Sequence, residues 1–127
     1  MVTGALVLPC RAGGGPGGYP HPGGPTRACR TCGTRKDGRC AQKDDYGNEC
    51  IEKMAAADGI LLGSPTYVTD VSAEMKALID RACLVGRSNG GMMRRKVGAA
   101  VVAVRRAGAI QAFDTINHFF LISEMIV

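Results

Sequence analysis

The sequence predicts an α/β domain in which amphipathic helices pack against a parallel sheet. Two runs are apolar at every position, Ile60-Leu61-Leu62 and the longer stretch of residues 97–104. Runs of this length and composition are typical of strands that are buried on both faces of a parallel sheet. Patterns with helical spacing precede both runs and follow the second, and this alternation of helix and strand indicates a layered sheet with right-handed crossovers.

The chain has 127 residues, of which 46% are hydrophobic, as expected for one domain. Residues 13–25 contain 11 Gly or Pro in 13 positions. Such a segment loses much backbone entropy on ordering and has few side chains to pack. We therefore expect residues 1–26 to form a flexible Gly/Pro-rich lead and residues 27–127 to form the folded domain.

The first predicted helix follows Asp44 and Asp45, either of which can cap it. Its apolar positions recur at helical spacing and are Tyr46, Cys50, Ile51, Met54 and Ala55. Asp58-Gly59 then supplies a stop, and the first buried strand occupies residues 59–63. We expect Ser64-Pro65 to end this strand, because proline cannot donate a hydrogen bond to the sheet.

The second predicted helix has the clearest signal, with Ser72 as its N-cap. One apolar stripe follows, formed by Met75, Leu78, Ile79 and Ala82. The basic run Arg94-Arg95-Lys96, which we interpret as solvated, leads into the strand at residues 97–104. A third helix is predicted to carry an apolar stripe of Ile110, Phe113, Ile116 and Phe120. Residues 125–127 resemble the start of another strand.

Composition excludes several classes of protein. The net charge is +5, but there is no dense basic stripe, aromatic residues make up 5% and Trp is absent. A dedicated nucleic-acid binder is therefore not expected. No apolar run approaches the roughly 18 residues that a membrane span requires. Residues 1–9 lack the basic start of a signal peptide, so we expect a cytoplasmic protein with reduced cysteines.

Ligands of open α/β sheets bind at the carboxyl ends of the strands, which makes residues 64–70 and 105–108 the candidate loops. The first loop contains Gly63-Ser64-Pro65-Thr66-Tyr67-Val68, between a buried strand and the capped helix. With its flanking segments, Asp58 to Leu62, Val71 to Arg81 and Lys96 to Ala100, it resembles the flavodoxin-like NAD(P)H-dependent FMN reductase superfamily. The resemblance is strongest to the branch that includes iron-sulfur flavoproteins.

This resemblance implies a flavodoxin-like three-layer sandwich with a parallel sheet, here incomplete. It implies an NAD(P)H-dependent oxidoreductase that passes electrons through FMN to a quinone, a flavin or another small acceptor. The protein would position and tune the flavin, so no catalytic side chain is expected. The residues that the resemblance assigns to FMN binding are Ser64, Pro65, Thr66, Tyr67, Val68, Arg106, Ala107 and Gly108.

The sequence departs from the family at both ends. The family's phosphate site is an N-terminal strand with a loop that opens the first helix, whereas residues 5–8 form at most a short strand followed by the Gly/Pro run. The chain also ends where a fifth strand would begin. We therefore expect a fragment or a divergent member with weakened FMN affinity, and a truncated non-catalytic remnant is the alternative. Family members commonly form dimers or tetramers, so a homo-oligomer is expected.

Three cysteines, Cys29, Cys32 and Cys40, form a second candidate site. Iron-sulfur flavoproteins carry a compact run of four cysteines in this position, but residues 33–39 contain none. An iron-sulfur cluster, a zinc or other metal site, a redox dithiol and a loop of reduced thiols all remain open. An electron-transfer module that uses these three cysteines is thus a further alternative. Cys50 and Cys83 are expected to pack in the core or an interface.

Overall fold

The structure is a computed structural model that describes residues 5–9, 27 and 29–127. Its elements, in chain order, are β1 (Ala5–Pro9), α1 (Thr31–Arg35), α2 (Gly47–Ala56), β2 (Gly59–Tyr67), β3 (Asp70–Val71), α3 (Ala73–Ser88), β4 (Val97–Ala103) and α4 (Ala109–Ile122). Strand β1 falls inside the segment that the sequence assigns to the Gly/Pro-rich lead. The rest of that lead lies outside the described residues, so the boundary at residue 27 stays a prediction.

The sheet has three parallel strands with β2 in the middle. Ile60 of β2 lies opposite Leu6 of β1 on one side and opposite Gly98 of β4 on the other. A single parallel bridge joins Ile126 to Val97 on the outer side of β4, at the position where the sequence predicts that residues 125–127 begin a further strand. The strands therefore cross the sheet in chain order. Right-handed crossovers between strands in this order place their helices on the same face of the sheet.

The core lies between the sheet and helices α2, α3 and α4. The predicted stripe of α3 is buried, from Met75 to Ala82, and Ser72 caps the helix by accepting a hydrogen bond from the Met75 N–H at 3.2 Å. On α4 the predicted stripe is rotated, because Ile110 and Phe113 are exposed. The buried positions of this helix are Ala112, Ile116, Phe119 and Phe120.

The sequence predicted that strand β4 is buried on both faces. In the structure, only one face of β4 is buried. Its burial alternates along the strand, and Val97 and Val101 are 47% and 54% exposed. The alternate residues Gly98, Ala100 and Val102 face α4 and the core. The helices of the described residues all pack on that one face, so the other apolar face of β4 has no described element over it.

Strand β2 is longer than predicted and continues through Pro65 to Tyr67. Strand β1 ends opposite Gly63, whereas β4 continues beside β2 until Ala103 pairs with Pro65. Beyond Gly63 the strand therefore lacks β1 on one side, and proline is accommodated where no partner requires its missing N–H.

The basic run before β4 is not simply solvated. The Lys96 ammonium donates hydrogen bonds to the carbonyl oxygens of Ala55, at 2.8 Å, and Ala57. These carbonyls lie at the C-terminal end of α2, where a cation is favoured by the helix dipole. Arg94 forms an ion pair with Glu124 at 2.8 Å. Within the described part of the chain, no helix is both long and apolar enough to span a bilayer.

We predict that Gly98→Ala destabilises the fold. A Cβ at this position would lie 2.8–3.0 Å from three ring atoms of Phe120, which is fully buried and has no room to move. The expected loss is about 1–3 kcal/mol in the free energy of unfolding. Gly59→Ala is the matched control, because its Cβ would make only ordinary contacts with Val97. Equal urea midpoints for the two variants would contradict the prediction.

Candidate functional site

The two loops predicted from the sequence meet at the carboxyl ends of β2 and β4. The Thr66 hydroxyl at the end of β2 donates a hydrogen bond to the Ala103 carbonyl of β4 at 3.4 Å. Beyond these strands, Gly108 lies against the backbone of Thr69. The structure thus brings residues 64–70 and 105–108 together, at the edge where ligands bind in such sheets.

Ser64 anchors the first loop from inside the fold. Its side chain is 3% exposed, and its hydroxyl accepts a hydrogen bond from the Ser72 N–H at 3.0 Å. The same hydroxyl donates to the Pro65 carbonyl at 2.8 Å. Ser72 in turn caps α3, so this pair of serines ties the end of β2 to the start of the helix. The predicted role of Ser64 in FMN binding stays a prediction, and in the structure its hydroxyl is engaged inside the fold.

A tight hairpin, rather than an irregular loop, follows β2. Thr66 and Tyr67 pair with Val71 and Asp70, so that Val68 and Thr69 form a two-residue turn. Both turn residues have positive φ, +50° and +64°, as a type I′ hairpin requires. β-Branched residues adopt this conformation only where the surrounding structure holds them, at a cost of about 1–3 kcal/mol each. The sequence did not signal this turn, because Val68-Thr69 occupies the positions where Asn-Gly or Asp-Gly is typical.

The hairpin is held from the side by α4. The Asp70 carboxylate accepts hydrogen bonds from the Val71 N–H at 2.7 Å and from the Thr115 hydroxyl at 2.8 Å. These bonds fix the return strand, while the tip remains open to solvent. Tyr67 is 50% exposed and Val68 is 96% exposed. The hairpin therefore presents two apolar side chains on a backbone that is fixed at its base.

Gly108 fixes the second loop against the first. Its φ is +95°, and a Cβ on this residue would lie 2.4 Å from the Thr69 Cα. The family resemblance assigns Gly108 to FMN binding. In the structure, the close contact is with the neighbouring hairpin. Arg106 and Ala107, the other predicted binding residues of this loop, are exposed beside it.

The cysteine cluster lies elsewhere, in a cleft against the outer side of α3. Cys29, Cys32 and Cys40 line this cleft together with Arg81 and Leu84. Hydrogen bonds from the backbone and the hydroxyl of Thr31 lower the pKa of the exposed Cys29 thiol. Among the residues that the structure describes, no three His, Cys, Asp or Glu side chains are grouped closely enough to hold a metal ion.

Arg81 forms the inner wall of the cysteine cleft and is 2% exposed. Its guanidinium donates to both carboxylate oxygens of Asp45, at 2.6 and 3.1 Å, and contacts the Cys40 sulfur. Burial opposes the charge of Arg81, but these hydrogen bonds raise its pKa nonetheless. Gly47 makes room for the group, since a Cβ there would lie 2.7 Å from the guanidinium. The sequence did not predict this ion pair. Its one visible signal was Gly47, because a glycine in the first turn of a helix can make room for a neighbouring side chain.

The described cysteines do not fit a cluster held by four thiolates. Cys50 is 3% exposed within the core, as predicted, and burial raises the pKa of its thiol. Cys83 is half-buried on α3, and burial raises its thiol pKa as well. Neither residue lines the cleft of Cys29, Cys32 and Cys40, so the described residues place three thiols there rather than four. Cys10 lies outside the described residues.

A family model described as NADPH-dependent FMN reductase matches residues 17–127. The chain belongs to this family. An iron-sulfur flavoprotein of Methanocaldococcus jannaschii is 42% identical over 105 residues, which are 81% of this chain and 52% of the relative. Another iron-sulfur flavoprotein, from Methanosarcina thermophila, is 39% identical over 101 residues, or 78% of this chain and 52% of that protein.

Two further similarities place this FMN reductase family member more broadly. An FMN-dependent NADH:quinone oxidoreductase of Pseudomonas aeruginosa is 36% identical over 70 residues, covering 52% of this chain and 35% of that protein. The crystal structure of a flavodoxin, WrbA-like protein from Agrobacterium tumefaciens superposes with a TM-score of 0.57 at 16% identity, over 80% of this chain and 69% of the other. The predicted flavodoxin-like α/β fold is thereby confirmed. The chain spans about half the length of the curated iron-sulfur flavoproteins.

We predict that Gly108→Ala disturbs the hairpin as well as the second loop. The new Cβ would meet the Thr69 backbone, and alanine is also strained at positive φ, so the expected loss of stability exceeds about 1 kcal/mol. Gly90→Ala is the matched control, because Gly90 has a similar φ of +80° but nothing within 4 Å of its Cβ. Hydrogen exchange at Val68 and Thr69 should accelerate only in the Gly108 variant. Unchanged exchange there would contradict the coupling of the two loops.

We predict a large cost for removing the buried cation. Arg81→Met leaves Asp45 without its guanidinium partner in a largely buried site, with an expected loss of about 3–5 kcal/mol in unfolding free energy. Lys76→Met breaks the exposed ion pair with Asp80 on the same helix and should cost about 0.5 kcal/mol. Denaturant unfolding measures both variants. Similar losses in the two would show that the buried pair contributes no more than a surface pair.

Proposed function

We propose that this chain binds the ring of FMN in an NAD(P)H-dependent oxidoreductase, which passes electrons through the flavin to a quinone, a flavin or another small acceptor. The observation that supports this proposal most strongly is the junction of the two loops at the carboxyl edge of the sheet. There the strained Val68-Thr69 turn is held by Gly108 and α4. Strained backbone that neighbouring structure keeps in place is typical of ligand-binding sites.

The residues of this edge suit a flat, partly apolar ring that gains negative charge. Tyr67 and Val68 offer exposed apolar surface, and the backbone of residues 64–68 is fixed before any ligand arrives. Arg106 is exposed on the facing loop and supplies a positive charge. Bound FMN would accept hydride and release electrons singly or in pairs. The protein's contribution is to orient the ring and to stabilise the added charge with preorganised groups.

NAD(P)H as donor and a quinone as one acceptor are supported by the names of the family and of the Pseudomonas aeruginosa relative. We also propose that Pro65, Thr66 and Ala107 contact FMN. The predicted homo-oligomer and the predicted cytoplasmic location are part of the same proposal. A metal-based electron-transfer module is less well supported, because the described cysteines are not grouped around a metal site.

The decisive experiment is a titration of the full chain with FMN, in which the quenching of flavin fluorescence measures binding. We expect saturable binding, and Arg106→Ala should weaken it about tenfold, equivalent to roughly 1.4 kcal/mol. Arg87→Ala is the matched control, because Arg87 is also exposed but lies at the end of α3, at the opposite edge of the sheet. Arg87→Ala should therefore bind FMN like the unmodified chain.

Turnover of NADH and NADPH with a soluble quinone or with free FMN then tests the reaction itself. Oxidation of either nucleotide that depends on bound FMN supports the oxidoreductase. If the chain fails to bind FMN at millimolar concentration while remaining folded, the alternative of a truncated non-catalytic family member is correct. Binding without turnover would confine the proposal to its flavin-binding part.

A further inference from the structure

Two of the three cysteines that line the cleft are separated by only two residues and differ in their exposure to solvent. Cys29 is exposed, whereas Cys32, three residues later on α1, is 8% exposed. Both line the same cleft, and Cys29 also faces an adjoining cavity of about 440 Å³. Dithiol redox motifs have two intervening residues, with one accessible thiol that attacks and one shielded thiol that resolves. The Cys29-Arg30-Thr31-Cys32 segment matches this arrangement.

We propose that Cys29 and Cys32 form a thiol–disulfide exchange site for small anionic disulfides. Cys29 is the attacking thiol and Cys32 the resolving thiol. This activity is separate from flavin binding and requires no metal ion or flavin. It gives a role to cysteines that do not fit a four-thiolate cluster among the described residues.

The charges around the cleft favour an anionic substrate. Arg27 and Arg30 are exposed and line the opening beside Cys29. Asp44 and Asp45 line the adjoining cavity, but Asp45 is neutralised by its ion pair with Arg81. Among the described residues that line the cleft and the cavity, two exposed guanidinium groups thus stand against the carboxylate of Asp44. A disulfide that carries carboxylates, such as glutathione disulfide, is therefore preferred over a cationic one such as cystamine.

The exchange is balanced in atoms and electrons. The Cys29 thiolate attacks one sulfur of the small disulfide, which breaks its S–S bond, forms a mixed disulfide and releases one small thiolate. The Cys32 thiolate then attacks the Cys29 sulfur, forms the Cys29–Cys32 bond and releases the second small thiolate. The two cysteine protons end on the two released thiols. Two protein thiols are oxidised by two electrons and one disulfide is reduced.

The site is distant from the proposed flavin edge. Arg81, the inner wall of the cleft, lies nine residues beyond Ser72, which corresponds to about 13.5 Å along α3 at 1.5 Å per residue. Residues 64–68 meet Ser72 at the start of that helix. Failure of FMN binding would therefore leave this proposal intact, and failure of disulfide exchange would leave the flavin proposal intact.

The test incubates the reduced full chain with glutathione disulfide at fixed pH without oxygen, and stops the reaction with an alkylating agent. Peptide mass spectrometry should find a linked Cys29–Cys32 peptide. Cys32→Ser should instead accumulate glutathione on Cys29, and Cys29→Ser should slow the loss of glutathione disulfide at least tenfold. Cys83→Ser is the control and should react like the unmodified chain. Cystamine should react more slowly than glutathione disulfide.

Four results would overturn the proposal. The first is alkylation of Cys29 in the unmodified chain at the same rate as Cys83. The second is a Cys32→Ser variant that remains folded, by circular dichroism, and gains no glutathione. The third is a Cys29–Cys40 link in place of Cys29–Cys32, which would remove Cys32 as the resolving thiol. The fourth is one equivalent of zinc or iron in the purified chain that is lost in Cys29→Ser.

Discussion

The parallel strands follow one another across the sheet in chain order, and this constraint determines where everything else can lie. Right-handed crossovers between such strands place the helices on one face, so α2, α3 and α4 share a single core with the sheet. The same arrangement brings the carboxyl ends of β2 and β4 side by side. It also leaves the opposite face of β4 without a described helix, which explains the exposed Val97 and Val101. The candidate flavin edge is thus a consequence of strand order.

At that edge, the two loops depend on each other for their shape. Ser64 ties the end of β2 to the start of α3, Asp70 ties the hairpin to α4, and Gly108 lies directly against Thr69. Each contact is local, but together they hold a turn that Val68 and Thr69 would not adopt alone. The unfavourable backbone conformation of Val68 and Thr69 is offset by the contacts that the hairpin makes with α4 and Gly108. A rigid backbone of this kind can present hydrogen-bonding groups to a ligand with little further ordering.

The sequence predicted the features that depend on neighbouring residues. The stripe of α3, its Ser72 cap and the two loops at strand ends follow from periodicity, capping chemistry and strand alternation. It did not predict the exposed face of β4, because burial on both faces depends on which side the helices pack. The burial of Arg81 was also invisible, since its partner Asp45 is 36 residues away. Asp45 was interpreted as a helix cap, and it also accepts a hydrogen bond from the Gly47 N–H at the start of α2. The binding residues at the candidate flavin edge remain predictions, because only a binding experiment with FMN can test them.

The order of the strands also bears on how the chain can assemble during synthesis. Among the parallel strands, β2 pairs with β1, β4 pairs with β2, and Ile126 pairs with β4, so each new strand finds its partner already made. Among the strands that the structure describes, none inserts between two that precede it in the chain. In this order each loop that must close spans only the segment between consecutive parallel strands, which limits the entropy cost of each closure. The described part of the sheet can therefore grow from one edge during synthesis, with the candidate flavin edge completed only when α4 has formed.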